Sequence, residues 1–138
     1  MTTVINIPAL PEMQPNFYQD RKIDPYMFIK PLLDENTDTA SSLLRLYPGL
    51  TQPPHFHRVG ADLFFILSGT GILRTATVNP DERSASNWEE HPLKAGDFYS
   101  IKPMEVHGIQ NTGTDDIIWL NISPTAHETT DYVPLDRP

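Results

Sequence analysis

The chain has 138 residues, a length at which one domain with a single hydrophobic core is expected. Its formal net charge of −8, with no cluster of Lys or Arg, argues against a nucleic acid as partner. There is no Cys, so disulfides, thiolate ligands and Cys nucleophiles are excluded, and any metal must be held by imidazole and oxygen.

No apolar run is long enough to cross a bilayer, and the first residues lack the charged and apolar regions of a secretory signal. We therefore expect a cytoplasmic protein without membrane contact. Residues 1–25 are rich in Pro and show little periodicity apart from the apolar segment 4–7, which Pro8 ends. They are interpreted as an N-terminal arm with one short strand.

From residue 26 onward, apolar runs of about four to eight residues alternate with clusters of Gly, Pro, Asn, Asp and Ser, a pattern typical of strands and turns. No segment has a sustained helical period, so helix is expected only as a short turn near residues 34–39. The pattern predicts an all-β sandwich or barrel. The predicted strands are residues 27–33, 42–47, 55–57, 63–67, 72–78, 98–101, 106–110 and 117–122.

Two further segments have a polar or Pro-rich composition. Residues 79–90 are polar apart from Trp88 and predict an exposed loop between two halves of a barrel. Residues 124–138 contain three Pro and predict a tail that lies over the surface. The expected organisation is an arm at 1–25, a β-barrel at 26–123 and a C-terminal tail at 124–138.

Four residues form a candidate metal site. His55 and His57 lie on one predicted strand, and alternate side chains of a strand point to the same face. A short turn can bring Asp62 beside them, and His107 lies on its own strand later in the chain. Three neutral imidazoles and one carboxylate suit Mn, Fe, Co, Ni, Cu or Zn, and ligand softness alone does not choose among these metals.

The order and spacing of these residues resemble two known motifs. The segment from Gly49 through His55 and His57 to Asp62 and Gly69 resembles the first motif of the cupin superfamily at every spacing, with Asp where the family usually has Glu. Residues 96–111, which include His107, resemble the second motif, with Lys102 and Met104 replacing the usual Pro and Gly. The resemblance implies a double-stranded β-helix, or jelly-roll, barrel with one divalent metal ion.

The substitution at Asp62 puts its role as a ligand in question. Asp is one methylene shorter than Glu, so its oxygen would fall about 1.5 Å short of the metal unless the strand shifts. If Asp62 is a ligand held short, Asp62→Glu should keep or strengthen metal binding. If Asp62 only points to solvent, the three His carry the site alone.

Other residues are assigned by strand alternation. Phe64, Ile66 and Ile109 share the parity of Asp62 or His107 and are predicted to line a pocket beside the metal. Glu105 is either a general base near the metal or an exposed carboxylate at the barrel rim. Which face of their strands Tyr99 and Trp119 occupy is not predicted. His91 and His127 match neither motif and are expected in solvent.

The fold hosts many activities, so the reaction and the substrate are not predicted. One hypothesis is a metalloenzyme of oxygenase or isomerase type acting on a small organic molecule in the barrel. The alternatives are a non-catalytic metabolite-binding or regulatory cupin and a metal-free barrel. The resemblance also implies a homodimer that exchanges the strand at residues 4–7, so that deleting residues 1–11 should weaken it.

Overall fold

The computed structural model describes residue 4 and residues 21–24, 27–32 and 38–136, and within these ranges the chain is almost entirely β-structure. One 3₁₀ helix, Thr125–Glu128, follows the last long strand. The strands in chain order are β1 (Arg21–Asp24), β2 (Met27–Pro31), β3 (Thr39–Leu46), β4 (His55–Phe56), β5 (Asp62–Ser68), β6 (Thr70–Val78), β7 (Ala85–Lys94), β8 (Phe98–Ile101), β9 (Glu105–Asn111), β10 (Ile117–Pro124) and β11 (Val133–Pro134).

The strands form two antiparallel sheets. Sheet one has the order β1-β2-β3-β10-β5-β8, and sheet two has the order β11-β4-β9-β6-β7. Neighbouring strands within each sheet are often distant in sequence, as expected for a jelly roll. This architecture confirms the predicted all-β double-stranded β-helix.

The core lies between the sheets and follows from strand alternation. Along β5 the side chains of Asp62, Phe64 and Ile66 are buried, whereas Phe65 is exposed on the outer face of sheet one. The polar side chain of this inward row lies at the start of β5, and the apolar side chains follow it. The buried apolar residues that pack together are Leu44, Leu46, Phe64, Ile66, Leu73, Leu93, Ile101, Ile109, Ile117 and Trp119.

All eight predicted strands are present, and one further long strand was missed. β7 occupies residues 85–94, so the predicted exposed loop at 79–90 is wrong for its second half. Leu93 is the only buried residue of β7, and the strand forms because its backbone pairs with β6. Polar residues on both faces leave no alternation to detect. The predicted strand at 4–7 and the predicted turn at 34–39 lie mainly outside the described residues.

The C-terminal segment, here defined as residues 124–136, packs against sheet two. β11 pairs with β4, and Val133 contacts the apolar cluster of Phe56, Ala76 and Val106 on the outer face of that sheet. The segment therefore lies against the strand that carries the first histidine. In the part of the chain that the structure describes, no helix is long and apolar enough to span a membrane.

Two of the turns with positive φ lie next to the predicted histidines. Gly60, between β4 and β5, has φ +80°, and a Cβ there would lie 2.6 Å from Cγ of Pro124, so the turn both requires and has room only for Gly. Met104, where the second motif usually has Gly, keeps the same left-handed conformation with φ 67°. Its amide donates to the carbonyl of His57 over 2.7 Å, which ties the two motif segments together.

Candidate metal centre

The structure brings the three predicted histidines together inside the barrel. His55 on β4 pairs directly with His107 on β9, and His57 follows one residue after β4. The ring centroids of His55 and His107 are 4.3 Å apart, and His57 lies 5.1 and 5.4 Å from them. All three side chains are buried, and each offers one ring nitrogen within 4.8 Å of the other two.

The hydrogen bonds of the three rings favour one tautomer. In each imidazole Nδ1 lies within hydrogen-bond distance of a backbone carbonyl, so Nδ1 carries the proton and donates it. The lone pair is then on Nε2, and Nε2 of His107 is buried without a hydrogen-bond partner among the described residues. This is the arrangement of histidine ligands to a metal. The accepting carbonyl is that of Pro53 for His55 (3.0 Å), that of Asp131 for His57 (2.5 Å) and that of Glu105 for His107 (3.1 Å).

Asp62 lies beside the histidines with its side chain buried. Its Oδ2 is 3.4 Å from Nε2 of His57 and 3.5 Å from Nε2 of His107. Donor atoms bonded at about 2.1 Å to one ion are about 3.0 to 3.4 Å apart, so these spacings fit neighbouring ligands. The Asp62 carboxylate therefore reaches both rings without the extra methylene of Glu. Three imidazoles and one carboxylate are also a donor set that suits a divalent transition ion.

The electrostatics of the four residues are coupled. Burial and the nearby His107 lower the pKa of His55, which keeps this ring neutral. Burial opposes ionisation of Asp62, but His107, His57 and an amide donor outweigh it, so the pKa of Asp62 is well below its usual value. Burial also opposes protonation of His57, but Asp62 and the carbonyl of Asp131 outweigh it and raise the pKa of His57. The centre therefore holds a carboxylate anion at neutral pH.

Asn121 on β10 orients the Asp62 carboxylate and was missed by the sequence reasoning. Its Nδ2 donates to Oδ1 of Asp62 over 2.5 Å and lies 3.0 Å from the carbonyl oxygen of Leu63. With Oδ1 occupied, Oδ2 turns toward the histidines. Asn121 lies outside both motifs, so no spacing in the sequence could have identified it.

We expect Asn121→Leu to weaken binding of a divalent ion by about 10- to 100-fold, the usual effect of losing a group that orients a ligand. Leu keeps the approximate volume of the side chain but cannot donate to Asp62. Calorimetric titration with Zn²⁺ measures the change, and Thr77→Leu, at an exposed position of β6, serves as the control. Unchanged affinity in Asn121→Leu would exclude a positioning role.

His127 and His91 were both expected in solvent, and for His127 this is wrong. The ring of His127 is buried and stacks on His57 with centroids 3.9 Å apart and planes 2° from parallel. Its Nε2 donates to the carbonyl of Val59 over 2.5 Å. His127, His57 and Asp62 form a second possible donor group, but the bond to Val59 and the stacking make His127 a wall of the site. His91 lies on β7 with its side chain 49% exposed.

The residues predicted to line a pocket are buried in the core. Phe64, Ile66 and Ile109 are at most 3% exposed, and the ring of Phe64 meets His107 edge-on with centroids 5.8 Å apart. Tyr99 faces inward and stacks on Phe64 with centroids 4.7 Å apart. Trp119 also faces inward and is fully buried.

Glu105 is half-buried, and its Oε1 accepts a hydrogen bond from the amide of Lys102 over 3.0 Å. This bond holds one of its carboxylate oxygens in the turn between β8 and β9.

Asn111, the Asn of the second motif, has a structural position. It donates to the carbonyls of Leu46 and Asp115 over 2.9 Å and accepts from Gly113.

Comparisons with known proteins agree with this architecture. Residues 42–123 match the family model described as the cupin domain. An oxalate-binding protein of Thermotoga maritima is 29% identical over 79 residues, which cover 57% of this chain and 56% of that protein. The chain thus spans little more than half of this curated relative.

Two solved structures share the fold. A conserved protein with a double-stranded β-helix domain from Klebsiella pneumoniae superposes with a TM-score of 0.66 at 18% identity, over 98% of each chain. Oxalate decarboxylase of Bacillus subtilis, a protein with Mn(II) centres, superposes with a TM-score of 0.63 at 18% identity, over 81% of this chain and 29% of that one. With the family model matching residues 42–123, more than half of the chain, this protein belongs to the cupin family.

Proposed function

We propose that this cupin holds one divalent transition-metal ion on His55, His57, Asp62 and His107, and that it binds a small organic molecule beside the ion. One observation carries the proposal. The three imidazoles donate Nδ1–H to backbone carbonyls, which leaves their Nε2 lone pairs free next to an ionised, oriented carboxylate. The Mn(II) centres of a protein with the same fold make Mn²⁺ the first ion to test.

The proposal divides into a catalytic and a non-catalytic form. A divalent ion in this centre supplies a Lewis acid that polarises a bound oxygen atom, which suits oxygenase or isomerase chemistry. Asn121 orients the Asp62 carboxylate, and the three backbone carbonyls that accept from Nδ1 orient the imidazoles. The alternative is a cupin that captures a metabolite without converting it, which is favoured by the bond that holds Glu105 to Lys102 in a turn.

The test is metal loading of untagged protein. We expect one Mn²⁺ or Zn²⁺ per chain after dialysis, measured by plasma mass spectrometry, and an increase in melting temperature when the ion is added to metal-free protein. An ion that binds only the folded state at 100 times its Kd stabilises it by about 2.7 kcal/mol. Retention of no ion, together with an unchanged melting temperature, would favour the metal-free barrel.

We also propose that two copies pair through the outer face of sheet one. Phe65 and Phe98 are cross-strand partners on this face and are 37% and 62% exposed. They extend an apolar cluster around Leu43, which includes Ile118 and Leu120. An apolar patch of this kind is typical of an interface.

We expect the double change Phe65→Lys and Phe98→Lys to convert a dimer into a monomer, because it places two charges in the contact. Light scattering measures the mass, and Val59→Lys, an exposed apolar position outside this face, is the control. A parent protein that is already monomeric, or a double variant that stays dimeric, would contradict this interface.

A further inference from the structure

A cleft of about 400 Å³ opens between β7 of sheet two and β8 of sheet one, which are the outermost strands on one side of the barrel. Its apolar walls are Leu73, Leu93 and Ile101. The volume fits a molecule of the size of a substituted ring.

The cleft adjoins the metal centre through two of its lining residues. Thr75 pairs with His107 in the register of β6 and β9. Tyr99 stacks on Phe64, and the ring of Phe64 meets His107. A molecule in the cleft therefore lies next to the centre, with Tyr99 on one side and β7 on the other.

Tyr99, which lines the cleft, carries an unsatisfied polar group. The hydroxyl of Tyr99 is buried and has no hydrogen-bond partner among the described residues. Burial and the charge of Asp62 raise the pKa of Tyr99, so the hydroxyl stays protonated and can donate. A buried hydroxyl without a partner is costly, and a bound ligand that accepts its hydrogen bond removes that cost.

The lining of the cleft is rich in carboxylates. Glu89, Asp97 and Glu105 line it together with His91, whose Nε2 lies 3.5 Å from a carboxylate oxygen of Glu89, and none of the described lining residues is Lys or Arg. Arg74, whose strand pairs with β7, is engaged with Glu90 on the outer face of sheet two. Carboxylates attract hydrogen-bond donors and repel anions, the more strongly where water is partly excluded.

We infer that the ligand of this cleft is an uncharged ring or chain that carries hydroxyl groups, and that a free carboxylate anion such as oxalate is disfavoured. Its hydroxyls donate to Glu89 and Glu105 and accept from Tyr99, and its carbon skeleton packs on the apolar walls. The inference deepens the proposed function and rests on it for the role of the cleft as the ligand site. It separates this chain from a relative named for binding oxalate.

The test compares catechol, uncharged at neutral pH, with salicylate, a singly charged anion with the same ring. Each is titrated into Zn²⁺-loaded and metal-free protein, and amide chemical shifts are followed by NMR. We expect catechol to bind at least about tenfold more tightly than salicylate in both forms, because the carboxylates of the cleft are present in both. Tyr99→Phe should lower the affinity for catechol by about fivefold to tenfold.

A matched pair of variants assigns the effect to the cleft. The double change Glu89→Gln and Glu105→Gln should bring the affinities for catechol and salicylate within about threefold of each other, chiefly because salicylate then binds more tightly. Glu90→Gln removes a charge from the opposite face of β7 and should leave the ratio unchanged.

Three results would overturn the inference: salicylate or oxalate binding as tightly as catechol, a ratio that the double change does not alter, or no binding of catechol at 10 mM. Failure of the proposed metal site is a separate result, seen as the absence of bound Zn²⁺. The comparison in metal-free protein still decides the charge of the ligand in that case.

Discussion

His107→Ala is expected to abolish stoichiometric metal binding while both sheets remain folded. The Nε2 of His107 is buried and has no other partner among the described residues, so its loss removes one of four converging donors. The affinity should fall by more than the roughly 10- to 100-fold that follows removal of a group that merely orients a ligand. Metal content after dialysis and calorimetric titration with Zn²⁺ measure the change.

Truncating a buried ring also leaves a cavity, so folding is measured separately by circular dichroism. His107→Gln fills most of the volume and should lose the metal with less loss of stability. His91→Ala removes a half-exposed histidine on β7 and is the control that should keep one ion per chain. Full metal retention in folded His107→Gln would count against the assignment.

Asp62→Asn is expected to weaken metal binding by about 10- to 100-fold without altering the shape of the site. Asn has the same size as Asp and can still accept the hydrogen bond of Asn121, so the change isolates the negative charge. Calorimetry with Zn²⁺ and Mn²⁺ measures the loss. An Asp62→Asn protein that binds as tightly as the parent would leave the three histidines to carry the site alone.

The distances around Asp62 lead us to the opposite expectation for Asp62→Glu. Sequence reasoning predicts that the longer side chain restores the usual spacing, but Oδ2 of Asp62 already lies 3.4 and 3.5 Å from the two Nε2 atoms. An added methylene in a side chain that is 4% exposed displaces the carboxylate from Asn121 and crowds the rings. We therefore expect Asp62→Glu to bind metal about tenfold more weakly than the parent, and equal or tighter binding would restore the earlier expectation.

The sequence by itself determined the eight predicted strands, the family and the meeting of His55, His57, Asp62 and His107. These features depend on local alternation and on two motifs with characteristic spacing, and both patterns can be read from the order of residues along the chain. β7 escaped prediction because its polar residues carry no periodic signal, and only pairing with β6 makes it a strand.

Tertiary structure alone decided how the centre is oriented and enclosed. Asn121 reaches Asp62 from β10, 59 residues away, and the carbonyl of Asp131 reaches His57 across 74 residues. His127 stacks on His57 because the C-terminal segment folds back over β4. Hydrogen bonds and ring contacts of this kind depend on which strands become neighbours, and chain spacing does not encode that for residues outside a motif.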